Sequence, residues 1–149
     1  MNADLIIAPA RPEDAPAIGR ILSAWIDETP WIPRVHSHDD EQGFGRMMVE
    51  RGWTTVARRD GEVLGFLSRD ETEVHALYLR ADARGQGVGK ALLDSAKSAS
   101  TRLELWTFQQ NTRAQRFYLR EGFREVGRTN GAGNDEKLPD IRYVWGELE

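Results

Sequence analysis

Arg84-Gly85-Gln86-Gly87-Val88-Gly89-Lys90 joins two apolar segments of different period. Upstream, Val74-His75-Ala76-Leu77-Tyr78-Leu79 is short, β-branched and aromatic, and reads as a strand. Downstream, Val88, Ala91, Leu92, Ser95 and Ala96 recur at helical spacing. A glycine-rich turn from strand to helix leaves backbone N–H groups unpaired and pointing one way. Together with the helix dipole they form a site for phosphate oxygens. The glycines let a ligand come close to the backbone. The plain alternative is a tight connection that binds nothing.

Two familiar phosphate loops do not fit. A Walker loop places four residues between its first glycine and Gly-Lys, then Ser or Thr. Here three residues separate Gly85 from Gly89, and Ala91 follows Lys90. The dinucleotide fingerprint, Gly-x-Gly-x-x-Gly in a first βαβ unit, is matched poorly by Gly85-x-Gly87-x-Gly89 in mid-chain.

Outward from the loop, the chain alternates strand and helix signals. Leu5 to Ala8 reads as a strand, and Arg11-Pro12-Glu13-Asp14 opens a helix striped by Ile18, Ile21, Leu22 and Trp25. Pro30 and Pro33 break it. Asp39 or Asp40 is expected to cap a second helix, which ends at Gly52. Trp53 to Arg59 and Glu62 to Arg69 form a hairpin about Asp60-Gly61. After the glycine turn, Leu103, Leu105 and Trp106 mark a strand, and Asn111 to Glu121 a helix stopped at Gly122. Phe123 to Thr129 and Ile141 to Glu147 close as strands around a polar loop from Thr129 to Asp140. The order β-α-α-β-β-β-α-β-α-β-β predicts an α/β fold, a mixed sheet with helices on both faces.

Composition sets the bounds. At 149 residues, a single domain over 1–149 is expected. The net charge of −4 argues against nucleic acid as a partner. There is no cysteine, which removes disulfides, thiolate metal sites and a thiol nucleophile. No apolar run reaches membrane-spanning length. Met1-Asn2-Ala3-Asp4 lacks the basic start of a signal peptide, so a cytoplasmic protein is expected, with a homodimer possible.

The glycine loop resembles the acyl-CoA signature of the GNAT N-acetyltransferases, Gln/Arg-x-x-Gly-x-Gly/Ala, with Arg84, Gly87 and Gly89 at its fixed positions. A second stretch, Asn111-Thr112-Arg113-Ala114-Gln115-Arg116-Phe117-Tyr118-Leu119-Arg120-Glu121-Gly122-Phe123, is similar to the family's Asn, then Ala-x-x-Phe-Tyr-x-x-x-Gly-Phe. The two lie in the family's order and span roughly residues 73 to 124. The resemblance implies a splayed central sheet, in which the strands before and after the loop part and hold a thioester between them.

Acyl transfer from a thioester to an amine needs a held donor, a deprotonated amine, a polarised carbonyl and a protonated leaving thiolate. The resemblance implies that Gly85, Gln86, Gly87, Val88, Gly89 and Lys90, with Arg84, hold the pyrophosphate of acetyl-CoA. It implies that the backbone of Leu77, Tyr78 and Leu79 pairs with pantetheine. Tyr118 stands where the family commonly places its general acid; its alternative role is packing beside Phe117. For Asn111 the resemblance implies a hydrogen bond to the pantetheine arm; its other role is to cap the following helix, and the two can coexist.

Glu73 and His75, two apart on the strand, share a face that alternation extends to Leu77 and Leu79. Either could serve as base, directly or through water. A solvated strand end and a base-free site are the alternatives. The resemblance implies acceptor contacts from the loops 28–38 and 129–140, with Trp31, His36 and Asn134 as candidates. No metal is expected, since His36-x-His38 lacks a further ligand set.

The expected reaction is transfer of the acetyl group of acetyl-CoA to a primary amine by direct attack in a ternary complex. The bulk of the acceptor loops favours a small-molecule amine. A peptide or protein N-acetyltransferase and a non-catalytic acyl-CoA-binding module are the alternatives.

Overall fold

The computed structural model describes residues 4–147. Strand β1 (Ile6–Pro9) leads through a single 3-10 turn (Pro12–Asp14) into helix α1 (Ala15–Asp27). Helix α2 (His38–Glu50) follows, then β2 (Thr54–Arg59), β3 (Glu62–Asp70) and β4 (Glu73–Leu79). Helix α3 (Val88–Ser98), β5 (Arg102–Phe108), α4 (Thr112–Arg120), β6 (Arg124–Thr129) and β7 (Asp140–Gly146) complete the chain. This is the element order the sequence predicts.

Local chemistry explains the boundaries. The Arg11 amide donates to Asp14 (2.8 Å), closing the first turn ahead of α1. Arg58 on β2 clamps the same carboxylate through two hydrogen bonds of 2.7 Å. Those bonds hold the Asp14 carboxyl below its ordinary range. The cap of α2 differs from expectation: it is Ser37, whose hydroxyl accepts from the Asp40 amide at 3.1 Å. Asp40 instead supplies the reciprocal half of the box, and Asp39 lies in the first turn. The β2–β3 turn puts Asp60 and Gly61 at φ of 53° and 79°, the paired left-handed geometry a two-residue hairpin requires.

The seven strands form one sheet in the order β1-β2-β3-β4-β5-β7-β6, with β4 and β5 the parallel neighbours. Ile18 and Ile21 of α1 and Met48 of α2 bury against Val56, Val63 and Phe66 on one face. Val88, Leu92 and Leu93 of α3 and Tyr118 of α4 bury against Leu67, Val74, Leu103, Leu105, Ile141 and Tyr143 on the other.

One irregularity changes which side chains share a face. Ser68 of β3 pairs with Ala76, but the next residue, Arg69, pairs with Val74. His75 is therefore the extra residue of a β-bulge, and alternation breaks there. Val74, Leu77 and Leu79 all pack on the α3/α4 side, whereas Ala76 and Tyr78 pack on the α1/α2 side. The expectation that Glu73 and His75 share a face with Leu77 and Leu79 is thus corrected. Simple period-two counting does not pass through a bulge.

Candidate active site

Strands β4 and β5 meet at one registered pair, Glu73 opposite Glu104, where the Glu104 amide donates to the Thr72 carbonyl (2.9 Å). No further β4–β5 pair is in register among the described residues, so the strands part beyond this point. The Arg80 amide donates across to Leu64 of β3 at 2.8 Å. Alternation then turns the backbone polar groups of Leu77 and Leu79 away from β3 and into the gap. The gap thus has an open strand edge, suited to an extended ligand with its own amides.

At the mouth of the gap lies the glycine turn. Gly85 and Gly87 sit at φ of 75° and 81°, so both occupy the left-handed region that favours glycine. Gly87 is the N-cap of α3 and has no side chain to satisfy the first helical turn. The amides of Val88, Gly89 and Lys90 find no protein acceptor among the described residues; the first helical bond runs from Ala91 to Gly87. Three donors and the positive helix end therefore face outward together. A Cβ at Gly89 would sit 3.5 Å from the Phe117 ring and 3.7 Å from Leu79, which binds this turn to α4 and β4. Arg84 pairs with Glu28 at the end of α1, and the Gln86 side chain spans the Asp82 carbonyl (2.8 Å) and Arg59 (3.3 Å). Lys90 reaches Asp94 (3.1 Å) and Glu121 (3.3 Å).

Tyr118 of α4 is buried among Phe117, Phe123 and Tyr143, with ring centroids 5.2, 5.3 and 6.3 Å away. Burial, and then the nearby Tyr78, push its phenol well above the ordinary value. It holds its proton throughout the physiological range. Tyr78 of β4 packs on Trp25 (5.0 Å) and is pushed up to about 12 by burial, with a further contribution from the charge of Glu136. Asn111 caps α4: its side-chain oxygen accepts from the Ala114 amide at 3.1 Å. That contact leaves the side-chain NH2 available.

The two base candidates lie apart from each other in role. Both oxygens of Glu73 accept from Arg142 of β7, at 2.8 and 2.7 Å. Arg142 also pairs with Glu104 and lies 5.1 Å over the Trp106 ring. Burial alone would raise the Glu104 carboxyl, but the hydrogen bond and charge of Arg142 outweigh it and hold it below its ordinary range. His75 is exposed and stacks on Trp53 at 4.8 Å. Arg142, Glu104 and Trp106 are residues that sequence reasoning missed. The alternation Ile141, Tyr143 against Arg142 carries a signal for the outer face, but nothing local names its partner 69 residues away.

A cavity of about 430 Å³ lies between the ends of β5 and β7 and the loop before β7, within the range of small-ligand sites. Trp106, Phe108, Asn134, Glu136 and Asp140 are among its walls. The Asn134 side chain is engaged with both backbone groups of Leu138 (2.8 and 3.2 Å) and with Asp140 (3.1 Å), so it shapes the loop. Trp31 packs edge-on against Phe108 (5.8 Å) and Trp25 (6.1 Å), linking the cavity wall to α1. His36 reaches over to Asp135 (3.4 Å) and bridges the loops 28–38 and 129–140. His38 turns instead to Arg34 (2.7 Å) and Asp27 (3.3 Å), so the two histidines do not converge. Among the described residues there is no group of three or more His, Asp or Glu placed to hold a metal, and no helix is long and apolar enough to cross a membrane.

Comparison with known proteins agrees with this geometry. The family profile of the acetyltransferase (GNAT) domain matches residues 50–125, from the end of α2 to the start of β6. The peptidyl-lysine N-acetyltransferase YjaB of Salmonella typhimurium is 36% identical over 93 residues, which cover 62% of this chain and 63% of that relative. The chain thus spans somewhat under two thirds of that relative's length. The peptidyl-lysine N-acetyltransferase YiaC of Escherichia coli is 29% identical over 146 residues, 94% of this chain and 96% of its own. Among solved structures, apo-form YjaB from Escherichia coli superposes with a TM-score of 0.80 at 23% identity, covering 95% of this chain and 97% of that one. The yncA protein of Salmonella typhimurium, solved with its cofactor acetyl-CoA, superposes at 0.75 and 20% identity, covering 99% of this chain and 96% of that one. By the profile across the glycine turn and α4, and by the parted strands it brackets, this chain belongs to the GNAT acetyltransferase family.

Proposed function

We propose that this protein transfers the acetyl group of acetyl-CoA to a primary amine by direct attack in a ternary complex. The observation that carries the proposal is the coincidence of two unsatisfied backbone surfaces. The amides of residues 88–90 face outward at the start of α3. The edge of β4 at Leu77 and Leu79 lies open beside it. One surface suits a pyrophosphate and the other an extended amide-bearing arm, and acetyl-CoA carries both. These two surfaces also answer whether the chain fits that cosubstrate: they fit.

Acetyl-CoA supplies an activated thioester; the chain supplies placement and proton control. A backbone N–H of Leu77 or Leu79, turned into the gap, donates to the carbonyl oxygen as charge develops on it. Tyr118 holds a proton for the departing sulfur. Burial makes that phenol a weaker acid than a free one, so the proton moves only as charge develops on the sulfur. In this reading Glu73 anchors the strands through Arg142, and the amine gives up its proton to water at the acceptor cavity. The names of the relatives YjaB and YiaC favour a lysyl side chain as acceptor, while the walled cavity suits a free small amine equally well. The shared feature is an aliphatic primary amine.

A panel of aliphatic amines and lysine peptides, assayed by release of free CoA thiol from acetyl-CoA, tests the reading. Acetylation of at least one class is expected. Tight acetyl-CoA binding without turnover on any amine would leave a binding module in place of an enzyme.

A further inference from the structure

The acceptor cavity has an uneven wall. Trp106 and Phe108 give it an apolar side. Across from them, three polar side chains come from the loop before β7 and the start of that strand, and two are already engaged. Asp140 accepts from the Thr129 hydroxyl and from Asn134, and Asn134 is held by Leu138. Glu136 is the third. It is half-buried and has no ion-pair partner among the described residues. An unpaired carboxylate facing the same cavity as two aromatic rings suits a guest with an alkyl body and a cationic end.

The cation that Glu136 suits is not the reacting nitrogen. A carboxylate clamped on that nitrogen would hold it as ammonium and remove its nucleophilic lone pair. Glu136 belongs with a charge that survives the reaction.

We propose that Glu136 makes this protein select acceptors carrying a second cationic group, so that the substrate class is the aliphatic diamine or a lysyl amine with a basic neighbour. This rests on the acetyltransferase reading above and names the acceptor for it. The alkyl chain lies along Trp106 and Phe108, the free amine end enters the gap, and the far cation pairs with Glu136. The cavity adjoins the β4 side of the gap through packed rings: Phe108 of its wall meets Trp31 (5.8 Å), Trp31 meets Trp25 (6.1 Å) and Trp25 meets Tyr78 of β4 (5.0 Å). On transfer, the new N–C bond forms as the thioester C–S bond breaks, the amine proton passes to water and the thiolate takes a proton. The far cation is unchanged and leaves with the product.

The test compares kcat/KM for 1,4-diaminobutane, n-butylamine and 4-aminobutyrate, acceptors of one chain length and three charges. The wild type is expected to prefer the diamine over butylamine by tenfold or more, against a statistical factor of two for its two equal ends. Glu136→Gln is expected to bring that ratio down toward two. Glu136→Lys is expected to reverse the order and favour 4-aminobutyrate. A ratio unmoved in both variants, or an equal loss for all three acceptors, overturns the assignment while leaving the acetyltransferase intact. If the wild type acetylates no amine of any class, the reading on which this one rests falls as well.

Discussion

Replacing Arg142 by methionine removes the cation that stands between Glu73 and Glu104, at the point where the sheet begins to part. The arginine side chain is 17% exposed, and the two glutamates are 32% and 20% exposed. Breaking a fully buried pair by deleting one partner costs about 3–5 kcal/mol. Partial exposure here reduces that to about 2–3 kcal/mol, since solvent screens the stranded charges. For a chain of this size each kcal/mol moves Tm by about 2–4 °C, so a fall of about 4–12 °C is expected. The pH dependence has a definite sign. In the wild type Glu104 is held below its ordinary 4.5, so its contribution is present above that value and lost as pH falls through the folded pKa. In the variant the two carboxylates face each other, and one of them is raised instead. The deficit is therefore largest at pH 7 and shrinks toward pH 4.5. Thermal unfolding followed by circular dichroism at both pH values measures it. The triple variant Glu73→Gln, Arg142→Met, Glu104→Gln strands no charge and should recover at least half of the loss. A deficit under 2 °C, or one that ignores both pH and the triple variant, would refute the view that this network pins the strands.

Three further outcomes are expected. Gly87→Val forces a β-branched residue to a φ of 81° at the cap of α3 and misaims the amides of residues 88–90; calorimetry should show acetyl-CoA affinity down at least tenfold in a folded protein, and unchanged affinity would place the pyrophosphate elsewhere. Tyr118→Phe keeps the ring contacts and deletes the proton, so single-turnover rates should fall by about 10²-fold, within the range of a general acid, with donor affinity little changed. Activity should fall as pH drops, because the amine must be neutral. The midpoint should follow the amine when two acceptors of different pKa are compared, and a midpoint that stays fixed across amines and disappears in Glu73→Gln or His75→Gln identifies that residue as the base.

Much of this arrangement is legible in the sequence because it rests on short-range chemistry. Asp60-Gly61 reads as a hairpin since two adjacent left-handed residues leave few other options. The glycine turn reads as a helix start with open amides because Gly87 brings no side chain to cap them. Asn111 reads as a cap because its side chain acts three residues away. The cap of α2 is less legible: Ser37, Asp39 and Asp40 are all competent, and only the direction in which the chain enters decides for Ser37. The Arg142 network is not legible at all. Its members lie 38 and 69 residues apart, and a sequence rich in charge offers many equally plausible pairs.

The bulge at His75 shows how a register set elsewhere decides the chemistry. Nothing in Glu73-Val74-His75-Ala76-Leu77 marks an inserted residue, and its period of two continues unbroken on paper. The pairing with β3 forces the insertion, through Ser68 opposite Ala76 and Arg69 opposite Val74. The consequence is a change of face within one strand. Val74 before the bulge and Leu77 and Leu79 after it all anchor in the α3/α4 core, while Tyr78 is left to face α1 and α2. Without the bulge, Val74 would share a face with Tyr78 and would leave the α3/α4 core in which Leu77 and Leu79 pack. With it, β4 keeps its core contacts on both sides of the point where β5 departs. The Glu73–Arg142–Glu104 network closes the sheet on one side of that point, and the bulge re-aims the strand on the other. Between them they hold a strand edge open without unfolding it, which is the condition for a ligand to complete the sheet.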